Sequence, residues 1–456
     1  MRRFSYAAAA ALLLILPLQA APKAKSAAPA VASQSQSTPL AFPGAMGWAA
    51  TTPGGRGGAI VRVTNLNTDG PGSFAAAVAT KGPRIVVFEV GGVIDLGAKE
   101  LKITEPYLTI AGQTAPSPGI TFVRGGIDIA THDVVVQHIR VRTGDAGLPK
   151  KSGFDCDALG TSGAAHDVIF DHITATWATD ENMSASGQRF EGNDPDKWRQ
   201  MASHRVTFSN NIIAEGLTFA THAKIEHSKG SLIHDNANDI LLVNNLYAHN
   251  YERNPLLKGG VRAAMVNNLI YDPGQRAIHY NLMAEEWGDK AWQIGKLTLV
   301  GTVLRAGIST PPNLAMMELG GYGDLELYMK DNIAVDQIGR PLPLTGRYTT
   351  SPAKIVVVKE PPLWPPYVTP MSAEKVQQYV LHNAGARPWD RDYNDVRLIA
   401  DVAEGRGYII ASQDELHGYP VQKPTSRPFN PDDWNLFDMT AKNPAVLDSS
   451  SKAKGT

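Results

Sequence analysis

After residue 40 the chain is dominated by short runs of β-branched residues or of alternating apolar and polar positions. Clear examples occupy positions 60–63, 84–90, 107–110 and 134–141. Runs of this length are typical of strands, because an amphipathic helix needs about ten or more residues with a 3.6-residue period. The pattern therefore predicts a protein built mainly from short β-strands.

One local pattern recurs: an apolar alternation, a polar step that often contains Asn or His, and then an aliphatic residue. Its copies occupy positions 134–139, 168–173, 206–212, 242–246 and 265–269, with a degenerate copy at 330–333. Their spacing of roughly 23 to 38 residues suits stacked repeats, which bury a core only by packing on one another. The repeats predict an all-β fold, a parallel β-helix with surface loops. The alternative is a β-sandwich with coincidental Asn-Asn pairs.

The polar step of each copy predicts an internal ladder at the bends of the coil, where side chains bond the backbone of the next coil. We assign His172 and Asn245 to this ladder. The remaining histidines lack metal-binding spacing and are interpreted as structural. Cys156 is interpreted as a small buried residue.

The N-terminal region differs from the repetitive centre. Arg2 and Arg3 precede an apolar run at 7–18 that is too short to span a bilayer comfortably, which predicts a signal peptide over 1–20. Positions 21–39 are rich in Ala, Ser and Pro and predict a flexible linker. We therefore expect an exported protein that is secreted or periplasmic, with no membrane segment in the mature form.

A single domain is expected over 40–456. Its last part is different in character, with a proline-rich stretch at 352–370 and a short helix predicted at 373–381. We interpret this part as a tail that wraps the coil and not as a separate domain.

Composition and charge exclude several classes of protein. The chain has 43 Lys and Arg against 44 Asp and Glu, a formal net charge of −1, which argues against nucleic-acid binding or a surface-wide polybasic membrane contact. One cysteine allows no intramolecular disulfide and no cysteine-built zinc site. A locally basic cleft for an acidic sugar polymer remains compatible with this balance.

Several motifs occur in an order that is similar to one known family. They are TTPGGRGG at 51–58, VTNLN at 63–67, GPGS at 70–73, IAGQTAP at 110–116, DH at 171–172, WATDEN at 177–182, RNP at 253–255 and NAGA at 383–386. Together they resemble the bacterial pectate lyases of polysaccharide lyase family 1, over roughly 41–420. The resemblance implies a right-handed, single-stranded parallel β-helix, a groove for polygalacturonate, and calcium-dependent anti β-elimination.

The resemblance also implies roles for basic residues. Arg253 opens an Arg-x-Pro segment and corresponds to the family's catalytic arginine. Lys258, where the family usually has arginine, and Lys229 correspond to residues that bind substrate carboxylates. A guanidinium is protonated at ordinary pH, so a small deprotonated fraction of Arg253 would have to act as the base. We therefore expect an alkaline optimum.

Acidic residues are the candidate calcium ligands. Asp157 matches a ligand position of the family, and Asp180 matches the first of two acids four positions apart. The second acid is replaced by Ser184, which predicts weak calcium binding in the free protein. Asp155 lies two positions before Asp157, so on a strand both would face one side. Calcium suits such a site because it prefers oxygen ligands and tolerates irregular geometry.

Strand parity extends the candidate set. Asp180, Asn182 and Ser184 share one parity, which makes them candidate oxygen ligands and predicts that Met183 faces the core. Glu181 has the opposite parity, so we expect it to act as a ligand only if the strand kinks.

Other functions remain open at this point. A lyase for methyl-esterified pectin would need no calcium. A β-helix polygalacturonase would use clustered carboxylates such as Asp155, Asp157, Asp180 and Glu181 to activate water. A non-catalytic adhesin would not need the basic residues. The predicted partner is an acidic polysaccharide, and we expect a monomer.

Overall fold

The chain winds into coils whose strands stack in three rows. The structure is a computed structural model and describes residues 38–224 and 226–447. In those residues the first row is a parallel sheet of eleven strands in chain order. They are Ala59–Val63, Arg84–Phe88, Leu108–Ala111, His132–Gln137, His166–Asp171, His204–Ser209, Asn238–Val243, Arg262–Val266, Gly295–Val300, Leu325–Lys330 and Ile355–Val357.

The second and third rows belong to one larger sheet. The long strands Val90–Ile103 and Ile120–Ile129 begin both rows, because each contributes separate segments to them. The second row continues through Ile139–Arg142, Thr174–Thr176, Ile212–Ala214, Leu246–Ala248, Leu269–Tyr271, Val303–Arg305 and Ile333–Val335. The third continues through Leu159–Thr161, Met183–Ala185, Leu232–Ile233, Leu256–Lys258, Ile278–Leu282, Met317–Gly321 and Thr345–Arg347.

The core lies inside the coils, where parallel register places like residues above one another. Val136 pairs with Phe170, and Phe170 with Phe208, whose ring centroids are 5.6 Å apart. All three are buried. Burying a large apolar side chain contributes about 1.5–3 kcal/mol, so repetition along the stack supplies the stability that one coil lacks. The predicted parallel β-helix is confirmed.

The internal ladder is present at the bend between the first and second rows. Asn245 Oδ1 accepts from Asn211 N, and Asn268 Oδ1 accepts from Asn245 N, each at 3.0 Å. These buried amides satisfy backbone groups that the bend would otherwise leave unpaired. The assignment of His172 to this internal ladder is wrong. This residue lies one position before the ladder position, its ring stacks on His138 outside the core, and its Nδ1 bonds the Asp171 side chain and no backbone group.

Helices cover the coil at a few places, and the two longest belong to the C-terminal part of the chain. The described α-helices are Phe74–Val78, Pro195–Met201, Ala284–Trp287, Ala373–Asn383 and Tyr393–Glu404. The helix Ala373–Asn383 confirms the helix predicted at 373–381, whereas the helix Tyr393–Glu404 was not predicted. Both pack on the second row, against residues such as Leu246 and Leu269. Three short strands complete the tail: Thr425–Ser426, Trp434–Asn435 and Thr440–Ala441.

Buried ion pairs hold this tail in place. Arg142 Nη2 lies 2.9 Å from Asp392 Oδ1 and 2.8 Å from Asp395 Oδ1. The tail therefore wraps the coil, as expected. The predicted signal peptide at 1–20 and nearly all of the predicted linker lie outside the described residues. Among the helices that are described, none combines the length and apolarity that crossing a membrane requires.

Candidate active-site cleft

A charged cleft lies along the third row, where successive coils place polar residues above one another. Glu181 forms a parallel bridge with Lys229, and Lys229 with Glu252. Neighbouring coils are about 4.8 Å apart, so residues distant in sequence meet here. The cleft has a volume of about 460 Å³, and Arg253 and Lys258 also line it.

Three carboxylates converge at this cleft. Oxygen atoms of Asp157, Asp180 and Glu181 lie within 4.8 Å of one another. Burial raises the pKa of the Asp157 carboxyl well above its ordinary value, and the charge of Asp180 adds to the rise. Burial would also raise the pKa of Asp180, but a hydrogen bond from His227 and the charge of Arg253 hold it below its ordinary value. The cluster therefore concentrates negative charge that a cation would offset.

The donor set fits a hard cation. Its members offer only oxygen atoms, which calcium prefers, and their separation allows one ion to reach all three. Ser184 is 1% exposed in the third row and offers a hydroxyl where a carboxylate was expected from the family. Asp155 lies outside this group; its Oδ1 accepts a hydrogen bond from Ala223 N at 3.1 Å, and its Oδ2 lies 3.6 Å from His222 Nε2.

The backbone before the third-row strand explains which side chains reach the cluster. The strand begins only at Met183, which is buried in the core as predicted. Asn182 precedes it and turns inward: its Oδ1 accepts from Ala178 N and its Nδ2 donates to Asn250 Oδ1, each at 3.0 Å. The interpretation of Asn182 as a ligand is therefore wrong. Glu181 reaches the cluster because regular strand alternation does not extend to it.

Arg253 faces these acids from a coil further along the chain. It adopts the left-handed conformation, with φ 63°, and its Nη1 forms an ion pair with Glu181 Oε1. Burial lowers the pKa of Arg253, while the charges of Asp180 and Asp157 oppose that change. A cation bound by these acids would offset their charge, so burial would then lower the pKa of Arg253 further.

The two predicted lysines also line or border the cleft, and each is paired with an acid. Lys229 Nζ lies 2.5 Å from Glu252 Oε1, and burial lowers its pKa while Glu252 opposes the change. Lys258 Nζ bonds Glu286 and lies 3.7 Å from Asp235 Oδ2. Acids therefore balance the charge of both lysines, and a bound anion would compete with these acids.

Sequence reasoning missed several residues of the cleft. Arg276 Nη2 lies 3.0 Å from Glu252 Oε2, and Lys229 contacts the other oxygen of the same carboxylate, Oε1. His227 Nε2 is 2.5 Å from Asp180 Oδ1, and its ring stacks on His222 at 3.6 Å. These histidines were interpreted as structural from the sequence, and the structure places both against Asp180. The repeat length could have identified Arg276, because it lies one coil after Arg253. The histidines have no spacing along the chain that would have identified them.

Fold and cleft together define a β-helix protein with a carboxylate cluster opposite an arginine, the class that includes polysaccharide lyases. The chain is 32% identical over 392 residues to a protein of Neosartorya fischeri named "Probable pectate lyase C", covering 85% of this chain and 83% of that protein. The chain therefore belongs to the pectate lyase family. No family model matches it. This relative is fungal, so it lends no support to the bacterial part of the expected resemblance.

Solved structures show the same right-handed β-helix. The cedar pollen allergen jun a 1 matches with a TM-score of 0.51 and 15% identity, over 75% of this chain and 92% of that one. A pectate lyase bound to a hexasaccharide matches with a TM-score of 0.50 and 14% identity, over 75% and 97%. At this identity the likeness extends to the fold alone.

Proposed function

We propose that this protein cleaves a pectate-like polyuronide by calcium-assisted β-elimination, with Arg253 as the base. The observation that carries the proposal is the convergence of Asp157, Asp180 and Glu181 beside Arg253. A hydrolase would also use carboxylates, but it would leave Arg253, Lys229 and Lys258 without a role.

The reaction requires a proton to leave C5 of a uronate. A neutral nitrogen of the Arg253 guanidine takes that proton, the electron pair forms the C4–C5 double bond, and the C4–O bond breaks. Burial supports this role because it lowers the pKa of Arg253. The departing oxygen takes up a proton, and a new unsaturated end remains.

Calcium held by Asp157, Asp180 and Glu181 would offset the charge that grows on the substrate carboxylate as the C5 proton leaves. Lys229 and Lys258 bind neighbouring carboxylates, which replace Glu252 and Glu286 as their anionic partners. Asp155 and Ser184 would add oxygen ligands from beside the cluster: Asp155 Oδ2 lies 3.6 Å from His222 Nε2, and the Ser184 hydroxyl lies within hydrogen-bonding reach of Asp157.

We further propose that the protein is exported and acts as a monomer on an acidic polysaccharide. The apolar N-terminal run supports export, and the cationic residues that line the cleft support an acidic substrate. Detection of the processed chain outside the cytoplasm tests export. Light scattering of the purified protein tests the monomer.

Purified protein acting on de-esterified polygalacturonate tests the function. We expect ultraviolet absorbance to rise with calcium and to stop rising in excess chelator. Arg253→Ala should give no rise, whereas Arg347→Ala, a substitution outside the cleft, should retain it. New reducing ends without absorbance would indicate a hydrolase. Undiminished activity in chelator, with faster turnover of methyl-esterified pectin, would indicate a pectin lyase.

A further inference from the structure

A second cavity of about 410 Å³ lies at the bend between the first and second rows. Its floor is formed by turn residues such as His138 and His172, and its walls by the two terminal segments, including Met46, Trp389 and Trp434. No described residue lines both this cavity and the cleft. Its size falls within the range of cavities that hold small ligands.

The two histidines of the floor present hydrogen-bond acceptors. His138 Nδ1 donates to the carbonyl of Ala386, and His172 Nδ1 donates to Asp171 Oδ2, each at 2.8 Å. An imidazole that donates through Nδ1 and carries no second proton presents Nε2 as an acceptor. Burial lowers the pKa of His138 to about 3, so this ring is neutral at physiological pH.

Two buried amides add further acceptors. Gln113 and Asn210 line the cavity and are 6% and 7% exposed. Gln113 Oε1 and Asn210 Oδ1 have no hydrogen-bond partner among the described residues. An unpaired buried oxygen costs about 1–3 kcal/mol, so a ligand that donates hydrogen bonds would be stabilised here.

The charge of the lining selects against an acidic ligand. Among the described residues, no lysine or arginine lines the cavity, whereas Asp171 and Asp438 do. A uronate would meet only negative charge. A neutral ligand with several donor groups complements the acceptors better.

A metal ion is also a poor fit, although ligand atoms of His138, Asp171 and His172 lie within 4.8 Å of one another. The two rings stack at 5.0 Å with an interplanar angle of 26°, so their in-plane lone pairs run side by side and do not converge. Asp171 already accepts hydrogen bonds from its neighbours His172, Gln137, Ser209 and Asn210.

Aromatic side chains supply flat apolar surface. Trp389, 38% exposed, and Tyr379 line the opening, and Trp434 lies deeper. Such faces pack against the apolar face of a saturated ring. We propose that this cavity binds a neutral sugar residue, whose hydroxyls donate to the acceptors while its ring packs on Trp389. It is a second carbohydrate site, separate from the acidic cleft.

Calorimetric titration of the full chain with methyl glycosides of galactose and arabinose tests the proposal. We expect these neutral probes to bind and galacturonate not to bind. Trp389→Ala and His172→Gln should each weaken binding about tenfold. His166→Gln is the matched control, because His166, like His172, stacks on a neighbouring histidine and is held through Nδ1, but it lies outside the cavity. It should leave binding unchanged.

Four outcomes would overturn the proposal. They are no binding of any neutral glycoside, equal binding of galacturonate, binding that both cavity variants leave intact, and binding that appears only after removal of residues 448–456. The last would mean that the chain's own C-terminus occupies the cavity. Zinc binding that His172→Gln abolishes, in the absence of glycoside binding, would indicate a metal site instead. Cleavage of polyuronide by these variants is measured separately and should not change.

Discussion

Asp157→Asn should have opposite effects on the stability of the protein without and with calcium. Without a cation, Asp157 is a half-buried carboxylate whose pKa is raised by partial desolvation and by the charge of Asp180. Asparagine keeps an oxygen to accept the hydrogen bond from Glu181 N, now 2.9 Å long, but removes the charge. We therefore expect the variant to be more stable than the parent in chelator.

The sign and size of this change in the free energy of unfolding follow from the raised pKa of Asp157. A carboxyl whose pKa is higher in the folded state than in the unfolded state binds its proton more tightly when the protein is folded. Its contribution to the free energy of unfolding is therefore fully present below the pKa of the unfolded state and is lost as the pH rises through the pKa of the folded state. Each pKa unit of such a rise costs about 1.4 kcal/mol at neutral pH. Asp157→Asn should thus raise the free energy of unfolding by about 1 kcal/mol or more and flatten its decline with pH.

With calcium bound, the parent protein should be more stable than the Asp157→Asn variant. A ligand at 100 times its dissociation constant stabilises the folded state by about 2.7 kcal/mol, a gain that the variant should lack. Urea denaturation with chelator and with calcium measures both effects. Asp289→Asn is the control, because Asp289 is exposed and belongs to no carboxylate cluster among the described residues, so it should change stability by less than about 0.5 kcal/mol with or without calcium. If the parent in chelator is as stable as Asp157→Asn, or if calcium stabilises both equally, the charged cluster is not the metal site.

Three further predictions concern the base, the ligand set and the ladder. Arg253→Lys and Arg253→Ala should each retain less than about a tenth of the initial rate while folding normally, and the rate of the parent should climb from neutral to alkaline pH as the guanidine loses its proton; higher retention would remove Arg253 as the base. Ser184→Asp should tighten calcium binding in calorimetry; unchanged affinity would place the ion away from Ser184. Asn245→Ala should lower the free energy of unfolding by about 1–3 kcal/mol, because Asn211 N loses its acceptor, without changing the rate per folded molecule.

The sequence alone determined the coil and much of its interior. Repeats that cannot bury a core individually must stack, and the polar step at each bend had to satisfy backbone groups there. Asn245 and Met183 therefore lie where the pattern predicted. The helix at Ala373–Asn383 was visible from its local pattern, whereas Tyr393–Glu404 was hidden in a mixed-charge segment.

Only the tertiary structure decided which side chains meet in the cleft. Strand parity assigned Asn182 to the ligands and made Glu181 conditional, but the irregular backbone before Met183 exchanged their directions. The contacts of Arg253 with Glu181 and of Glu252 with Arg276 join different coils. Their register depends on the length of every intervening loop. The spacing of motifs along the chain reveals the repeat. The alignment of one coil over another depends on packing between the coils, and no local sequence pattern encodes that alignment.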